Sequence, residues 1–232
     1  DFFVRDRCVA NGLPVDGCTP TTERVHVASG AAEPNAEGLL RPAISPDGRF
    51  VAYLSYATNL VPGDTNGVLD LFLHDRKTHQ TRRISTASDG AQTTAPSVSY
   101  PALSTGGRVV AFFSDAPNLV AGDTNRVTDA FAHAPLTGIT ERLSVSSDGL
   151  QADRACGFGP VGRRVPDNCG PLVYNLSRFP DGRVSVSADG SVTAFESFAT
   201  NLVGDVPAEA HVYVRASDGP PGAVLGLPPA ER

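Results

Sequence analysis

Residues 43–61 read AISPDGRFVAYLSYATNLV, and the same frame returns as ALSTGGRVVAFFSDAPNLV at 102–120 and as VSADGSVTAFESFATNLV at 186–203. In each copy a second serine follows the first by ten residues, and an Asn-Leu-Val tripeptide begins four residues after that serine. Three copies that agree at three offsets indicate an internal repeat. Internal repeats of this length are typical of architectures built from stacked, similar units.

One copy predicts four short strands. The Ser-x-Asp-Gly segment supplies residues that take positive φ in a tight hairpin, and the alternating run at 50–54 is typical of a strand. A Gly-Asp-Thr-Asn loop follows, and further strands are predicted at 70–74 and 82–85. The repeat is near sixty residues long and the chain has no helical periodicity. The sequence therefore predicts an all-β fold, a β-propeller of four-stranded antiparallel blades, with about three and a half blades in this chain.

The copies divide the chain into predicted blades. We expect the second half of a blade at 1–29, blades at 30–90 and 91–149, a blade at 150–219 with a disulfide-pinned insertion at 153–180, and a Pro/Gly-rich tail at 220–232. Third-strand motifs occur four times and first-and-second-strand hairpins three times. Because the surplus third strand leaves ring closure unbalanced, we expect either a fragment of a larger propeller or a protomer whose ring another chain completes. The open blade edges offer a route to self-association.

Charge and cysteine content limit the partners and the compartment. The net charge of −6 argues against a general affinity for nucleic acid, and no apolar run is long enough for membrane insertion. The four cysteines form two close pairs, Cys8 with Cys18 and Cys156 with Cys169. Neither pair has the spacing of a zinc site, so we predict two short-range disulfides, with metal binding as the alternative. Disulfides indicate a secreted or periplasmic protein.

The Asp-Thr-Asn loops are the candidate metal sites. Two sets of oxygen ligands are predicted, one in each loop: Asp64, Asn66 and Asp70, then Asp123, Asn125 and Asp129. Alternate side chains on a curled backbone point towards one hard cation, as in calcium loops, and Ca²⁺ is the one cofactor predicted. The alternative is a structural network of Asx turns. The third copy favours that alternative, because it keeps only Asp205.

Other recurring polar residues are predicted to belong to the scaffold. Three arginines recur in the fourth strand, and we expect each to pair with an aspartate of the neighbouring third strand: Arg24 with Asp1, Arg83 with Asp70, and Arg142 with Asp129. His74 and His133 occupy equivalent positions, where we expect half-exposed polar side chains, and His26 has no evident partner. The sequence has no Gly-x-Ser-x-Gly, phosphate-loop or His-Glu-x-x-His motif, so no catalytic residue is predicted.

The Ser-Pro-Asp-Gly-Arg hairpin and the apolar strand after it resemble the PD40, or TolB-like, class of WD40-like bacterial propeller repeats. The longer unit, with Asn-Leu-Val-x-Gly-Asp-Thr-Asn, Asp-x-Phe and Thr-x-Arg-x-Ser, is similar to the version common in secreted bacterial proteins. The resemblance covers most of residues 1–216. It implies the propeller fold, and for function it implies a scaffold, a receptor, or an accessory domain of a peptidase or lyase.

Three functional hypotheses follow from the repeats, the cysteines and the lack of a catalytic motif. The first is a non-enzymatic, extracytoplasmic propeller that binds a protein or a glycan through loops on one face. The second is the propeller part of a secreted enzyme, a peptidase or a polysaccharide lyase, whose catalytic residues lie in other sequence or across blades. The third is a calcium-stabilised adhesin module.

Overall fold

The computed structural model describes residues 1–97, 100–153, 183–204 and 211–216. The predicted insertion beyond Asp153, the Cys156–Cys169 pair, Asp205 and the predicted tail lie outside the described residues. None of the described segments forms a helix of the length and apolarity that a membrane span requires. The described strands are β1 (Phe3–Asp6), β2 (Val9–Ala10), β3 (Leu13–Pro14), β4 (Thr21–Arg24), β5 (Gly38–Ile44), β6 (Phe50–Ser55), β7 (Asp70–Asp75), β8 (Gln80–Arg83), β9 (Ala102–Leu103), β10 (Val110–Ser114), β11 (Asp129–Ala134), β12 (Ile139–Arg142), β13 (Val184–Val186), β14 (Val192–Ser197) and β15 (His211–Ala216).

Two four-stranded antiparallel sheets form the centre of the chain. Blade 1 has the strand order β5-β6-β7-β8, and blade 2 has the order β9-β10-β11-β12. On one side β1 pairs with β4, which we call blade 0, and on the other β13-β14-β15 form blade 3. Each strand of blades 1 to 3 pairs with the next strand in the sequence, as in a propeller blade. The predicted all-β fold of propeller blades in a partial ring is confirmed.

The first repeated serine closes the turn between the first and second strands of each blade. Oγ of Ser45, Ser104 and Ser187 accepts a hydrogen bond from the backbone N–H five residues later, at 2.9, 2.9 and 3.0 Å. In blades 1 and 3 the same hydroxyl donates to the turn aspartate, Asp47 or Asp189. Because these bonds join residues within one turn, the hairpin is specified locally.

The second repeated serine and the Asn-Leu-Val tripeptide tie each blade to the segment that enters it. Oγ of Ser55 and of Ser114 donates to a backbone carbonyl of that segment, in both cases at 3.1 Å. Asn118 accepts the Thr94 N–H at 3.0 Å and donates to the Gln92 carbonyl at 2.8 Å. Asn59 and Asn201 make equivalent pairs of bonds. The repeat signature therefore supplies hydrogen bonds to backbone groups of the segment between blades.

Aromatic side chains fill the spaces between consecutive blades. Phe72 and Phe131 take equivalent third-strand positions, and both are fully buried. Their rings stack on Tyr53 and Phe112 of the second strand, with ring centroids 6.1 and 5.9 Å apart. In blade 3 the equivalent residue is Tyr213. Burial of one such ring contributes about 1.5–3 kcal/mol, so the alternating apolar pattern of the strands holds the blades together face to face.

The two ends of the sheets carry different connections. We call one end the hairpin face, which carries the turns between first and second strands and those between third and fourth strands, at 46–49 and 76–79 in blade 1. We call the other end the loop face, which carries the Asp-Thr-Asn loops and the connections between blades.

Candidate functional site

The first Asp-Thr-Asn loop covers a buried ion pair on the loop face. Nη1 of Arg83 lies 3.0 Å from Oδ1 of Asp64 and 3.5 Å from Oδ2 of Asp70. The Ser85 hydroxyl donates to Asp70 at 2.5 Å. The side chains of the two aspartates and the arginine are at most 10% exposed. Two carboxylates therefore share one guanidinium at a place largely shielded from water.

Gln92 holds the loop over this ion pair, a role that the repeated sequence did not suggest. Its Oε1 accepts the Thr65 N–H at 3.1 Å and a hydrogen bond from Arg83 at 2.9 Å. Its Nε2 donates to the Gly63 carbonyl at 2.8 Å. The only sequence signal was the echo of Ser-Asp-Gly-x-Gln at 88–92 and 147–151. Gln92 therefore joins the connection after one blade to the loop within it.

The loop asparagines bind backbone groups of the protein itself. Oδ1 of Asn66 and of Asn125 accepts the N–H two residues later at 3.3 Å, which is an Asx turn. Nδ2 of each donates to a carbonyl of the connection between blades at 3.1 Å. The Asx turns that the sequence predicted as the alternative to calcium are present.

Blade 2 repeats the network. Nη1 of Arg142 lies 3.1 Å from Oδ1 of Asp123 and 3.8 Å from Oδ2 of Asp129. Ser144 donates to Asp129, and Gln151 accepts from Arg142 at 3.1 Å. Burial raises the pKa of Asp129 to about 6 and also raises the pKa of Asp123. One guanidinium thus offsets only part of the charge of two desolvated carboxylates.

The predicted calcium ligands come together in two groups of three, but each group already contacts a cation. In both loops the two aspartates face the same arginine, as the predicted ion pairs require. A calcium ion takes six to eight oxygen ligands and would meet the guanidinium charge at close range. Oδ2 of Asp70 and of Asp129 is buried with no hydrogen-bond partner among the described residues. Calcium binding by these loops stays a prediction.

Blade 0 contains a histidine version of the same network. Asp1 occupies the third-strand aspartate position, and Nη1 of Arg24 lies 3.7 Å from its Oδ2. His26 places Nδ1 3.2 Å from Asp1 and Nε2 3.0 Å from the Ser55 hydroxyl. The expectation that His26 lacks a partner was therefore wrong. Ser55 comes from the second strand of the next blade, and local sequence does not indicate that contact.

The Asp1-His26-Ser55 row has the hydrogen-bond order of a serine-nucleophile triad, but it offers no accessible nucleophile. His26 and Ser55 have no exposed surface. The Ser55 oxygen also accepts the N–H two residues later at 3.0 Å. Ser114 of blade 2 repeats this bond, although the preceding blade has Ser85 where blade 0 has His26. Burial lowers the pKa of His26 to about 4. The row links blade 0 to blade 1.

The histidines of the third strands are also internal. His74 and His133 are buried, which corrects the expectation that they are half-exposed. Their Nδ1 atoms lie 3.0 and 2.8 Å from the hydroxyls of Thr81 and Thr140. Those hydroxyls donate to carbonyls of the preceding connection between blades, at 2.6 and 2.5 Å. Burial lowers the pKa of both histidines, to about 4 for His133. The strand pattern did not predict this burial because the covering segment comes from another blade.

A disulfide-pinned hairpin extends the turn between β1 and β4 on the hairpin face. Cys8 and Cys18 form the predicted disulfide, with a Cα–Cα distance of 5.5 Å. Within it β2 and β3 pair across Asn11 and Gly12, whose φ angles are 51° and 80°, as in a type I′ turn. Asp6 lies beside the two sulfurs, but a disulfide offers no thiolate to a metal. The equivalent turns of blades 1 and 2 lack such an extension.

No protein-family profile and no curated protein sequence matches the chain. Several solved structures are similar to it. A putative TolB from Agrobacterium tumefaciens is 16% identical, with a TM-score of 0.41 over 85% of this chain and 47% of that one. The β-propeller domain of the Trilobed protease from Pyrococcus furiosus is 13% identical, with a TM-score of 0.40 over 80% of this chain and 41% of that one. An oligogalacturonate lyase in complex with manganese is 12% identical, with a TM-score of 0.44 over 84% and 38%. The chain spans less than half of the length of each of these three structures.

Proposed function

We propose that this chain is an extracytoplasmic propeller module that binds a protein partner through its hairpin face and performs no chemical step with the residues described. The observation that carries the proposal is the disulfide-pinned hairpin, which displays apolar side chains to solvent. The Cys8–Cys18 bond also supports the compartment, because such bonds persist in oxidising environments outside the cytoplasm.

The hairpin has the physical properties of a recognition element. Leu13 is 70% exposed, and Val9 and Val15 are each 43% exposed. The disulfide and the Val15 N–H, which donates to the Cys8 carbonyl at 2.8 Å, hold the hairpin in one shape. A preorganised loop loses little conformational entropy on binding, so more of its contact energy appears as affinity.

A protein partner suits the disulfide-pinned hairpin better than a glycan does. The exposed side chains of the hairpin at Val9, Leu13 and Val15 are aliphatic, and aliphatic anchors gain most of their binding energy when a partner removes them from water. Apolar pockets that provide such burial form the cores of protein interfaces. A hydroxyl-rich glycan would instead leave these groups hydrated.

The catalytic alternative needs an accessible catalytic group, and the two kinds of polar set that resemble one in the described part of the chain are not accessible. The one Asp-His-Ser row is buried, and the paired aspartates on the loop face are held by arginines. These groups serve the scaffold in blades 0 to 2, so we assign the binding role to residues outside the repeat signature.

Site-specific photocrosslinking tests the proposal. A benzophenone amino acid at position 13 should give a discrete adduct with an extracytoplasmic protein of the source bacterium, and excess unlabelled wild type should compete with it. The same amino acid at position 150 is the matched control, because Leu150 is 59% exposed but lies on the loop face. Unlabelled Leu13→Ser protein should compete for the adduct less effectively than unlabelled wild type. Equal adducts at positions 13 and 150, or none at 13, would contradict the proposal.

An activity screen provides the second arm of the test. The purified protein should show no turnover of ester or peptide substrates above that of Ser55→Ala. Turnover that follows the protein through repurification and disappears in Ser55→Ala would support the enzymatic alternative instead.

A further inference from the structure

A cleft of about 260 Å³ opens on the hairpin face between blades 1 and 2. Its apolar wall is formed by Phe50, Leu73, Pro135 and Leu136. Its polar rim includes Arg49, Asp75, Thr78, Gln80 and Arg82, and the backbone of Gly106 and Gly107 closes one side. The volume is just below the range of about 300–1,000 Å³ that is typical of drug-sized ligands, so the cleft suits a smaller molecule.

The neighbouring interface shows how the cleft arises. Between blades 0 and 1, Glu23 pairs with Arg76, and Arg76 also donates to the Gly48 carbonyl at 2.5 Å. The residue immediately before the repeated arginine of the fourth strand is Glu23 in blade 0 and Arg82 in blade 1. Pro135 of blade 2 takes the place of Arg76. The interface between blades 1 and 2 has therefore lost both partners of the ion pair that spans the interface before it.

The replacement leaves an arginine without a counter-charge. Arg82 is exposed and has no ion-pair partner among the described residues. Within that part of the chain, its side chain makes one hydrogen bond, a 3.5 Å contact from Nη1 to the Pro135 carbonyl. The other charges on the rim neutralise each other, because Arg49 binds Asp75 through Nε at 2.9 Å and Nη2 at 2.7 Å. The cleft therefore carries one uncompensated positive charge in a protein whose net charge is −6.

The arginine at the rim stands next to an ordered apolar wall. The Phe50 ring packs under the Arg49 guanidinium, 4.7 Å from its centroid, and a Cβ on Gly107 would lie 2.8 Å from the same ring. Leu73 is buried, whereas Leu136 is 71% exposed at the cleft mouth. A ligand that covers Leu136 and this wall would gain apolar burial beside the free guanidinium.

We propose that this cleft binds a small ligand that carries a carboxylate on a compact apolar group, with Arg82 as its cationic partner. The apolar group packs against Leu136 and Pro135, and the carboxylate accepts hydrogen bonds from Arg82. Nη1 of Arg49, which has no hydrogen-bond partner in the described part of the chain, adds a second donor. This site is separate from the hairpin of the proposed function, so either proposal can fail without the other.

Titration of ¹⁵N-labelled protein with phenylacetate tests the site. We expect saturable chemical-shift changes centred on the amides of Gly106, Gly107 and Gln80. Phenylacetamide, which lacks the charge, and acetate, which lacks the apolar group, should each bind more weakly than phenylacetate. Phenylacetamide binding as well as phenylacetate, or shifts that never saturate, would overturn the proposal. A tripeptide that ends in phenylalanine should be titrated both with a free C-terminal carboxylate and as its C-terminal amide. Comparison with phenylacetate then distinguishes a peptide C-terminus from a small free acid as the ligand.

Matched variants separate the site from general charge effects. Arg82→Gln should weaken phenylacetate binding by about tenfold, the loss expected for one charge-assisted hydrogen bond. Arg126→Gln makes the same charge change at an exposed arginine on the loop face and should leave the affinity unchanged. Leu13→Ser should also leave it unchanged. Equal losses in Arg82→Gln and Arg126→Gln would refute a specific site.

Discussion

Replacing Asp129 by asparagine is expected to remove a pH-dependent loss of stability from blade 2. Asp129 has no exposed surface, and burial raises the pKa of its carboxyl from 3.8 to about 6. The folded protein therefore binds this proton more tightly than the unfolded chain does. The free energy of unfolding falls as the pH rises from about 4 to about 6 and keeps the lower value above that range. Asparagine does not titrate, so the variant lacks this loss.

The size of the effect follows from the pKa difference. A rise of about 2 units corresponds to about 3 kcal/mol, at 1.36 kcal/mol for each unit. The free energy of unfolding of Asp129→Asn minus that of wild type should therefore rise by this amount between pH 4 and pH 8. An amide nitrogen beside Arg142 adds a hydrogen-bonding cost, but that cost is the same at both pH values and cancels from the change.

Urea unfolding followed by circular dichroism at unit steps from pH 4 to pH 8 measures this change. The control is Asp189→Asn, because the Ser187 hydroxyl and the Ser191 N–H lower the pKa of Asp189 to about 2. The stability that Asp189 contributes is lost only as the pH falls below about 4, so its variant should keep a constant difference from wild type between pH 5 and pH 8. A constant difference for Asp129→Asn over the whole range would refute the reasoning.

Four further changes have defined outcomes. Arg83→Met leaves two buried carboxylates without their cation, and we expect urea unfolding to show a loss of about 3–5 kcal/mol; a loss near that of a surface variant would mean that the carboxylates are protonated or hydrated. Gly107→Ala places a Cβ 2.8 Å from a ring carbon of the neighbouring blade, and should destabilise more than Gly149→Ala, where φ is also positive but no atom lies within 4 Å. Replacing Cys8 and Cys18 by serine should expose the segment between them to limited proteolysis, whereas the oxidised wild type should resist cleavage. Because each loop already holds an arginine, EDTA should leave the melting temperature unchanged; a fall that Ca²⁺ reverses would support the predicted calcium sites.

Much of the blade architecture could be predicted because its signals are local. Ser45 bonds to the turn it closes, and the alternation of Phe50–Ser55 places every second side chain on one face of the sheet. The disulfide between Cys8 and Cys18 also joins neighbours in the sequence, with a separation of ten residues. Such contacts form within one turn or hairpin, so the residues that specify them stand together in the chain.

The candidate sites depended on contacts that the sequence does not pair. His26 meets Ser55 across 29 residues, and the polar row they form came from two different blades. Gln92 holds a loop that begins almost thirty residues earlier, through its bond to the Gly63 carbonyl. In each case the sequence shows both residues but does not indicate that they are in contact. Gln151 repeats Gln92 in the sequence, but the repeat does not indicate what the glutamine side chain binds.

By itself, the sequence determined the all-β class, the three copies of the hairpin unit and the Arg–Asp pairs between neighbouring strands, because pairing within one blade joins consecutive strands. Only the tertiary structure decided that the Asp-Thr-Asn loops, which suggested calcium, close over arginines, and that a cleft lies where Arg82 faces Pro135. Arg82 and Pro135 are 53 residues apart and meet only when blades 1 and 2 stack. Packing between blades depends on the shape and charge of whole surfaces, which a repeated local pattern does not specify.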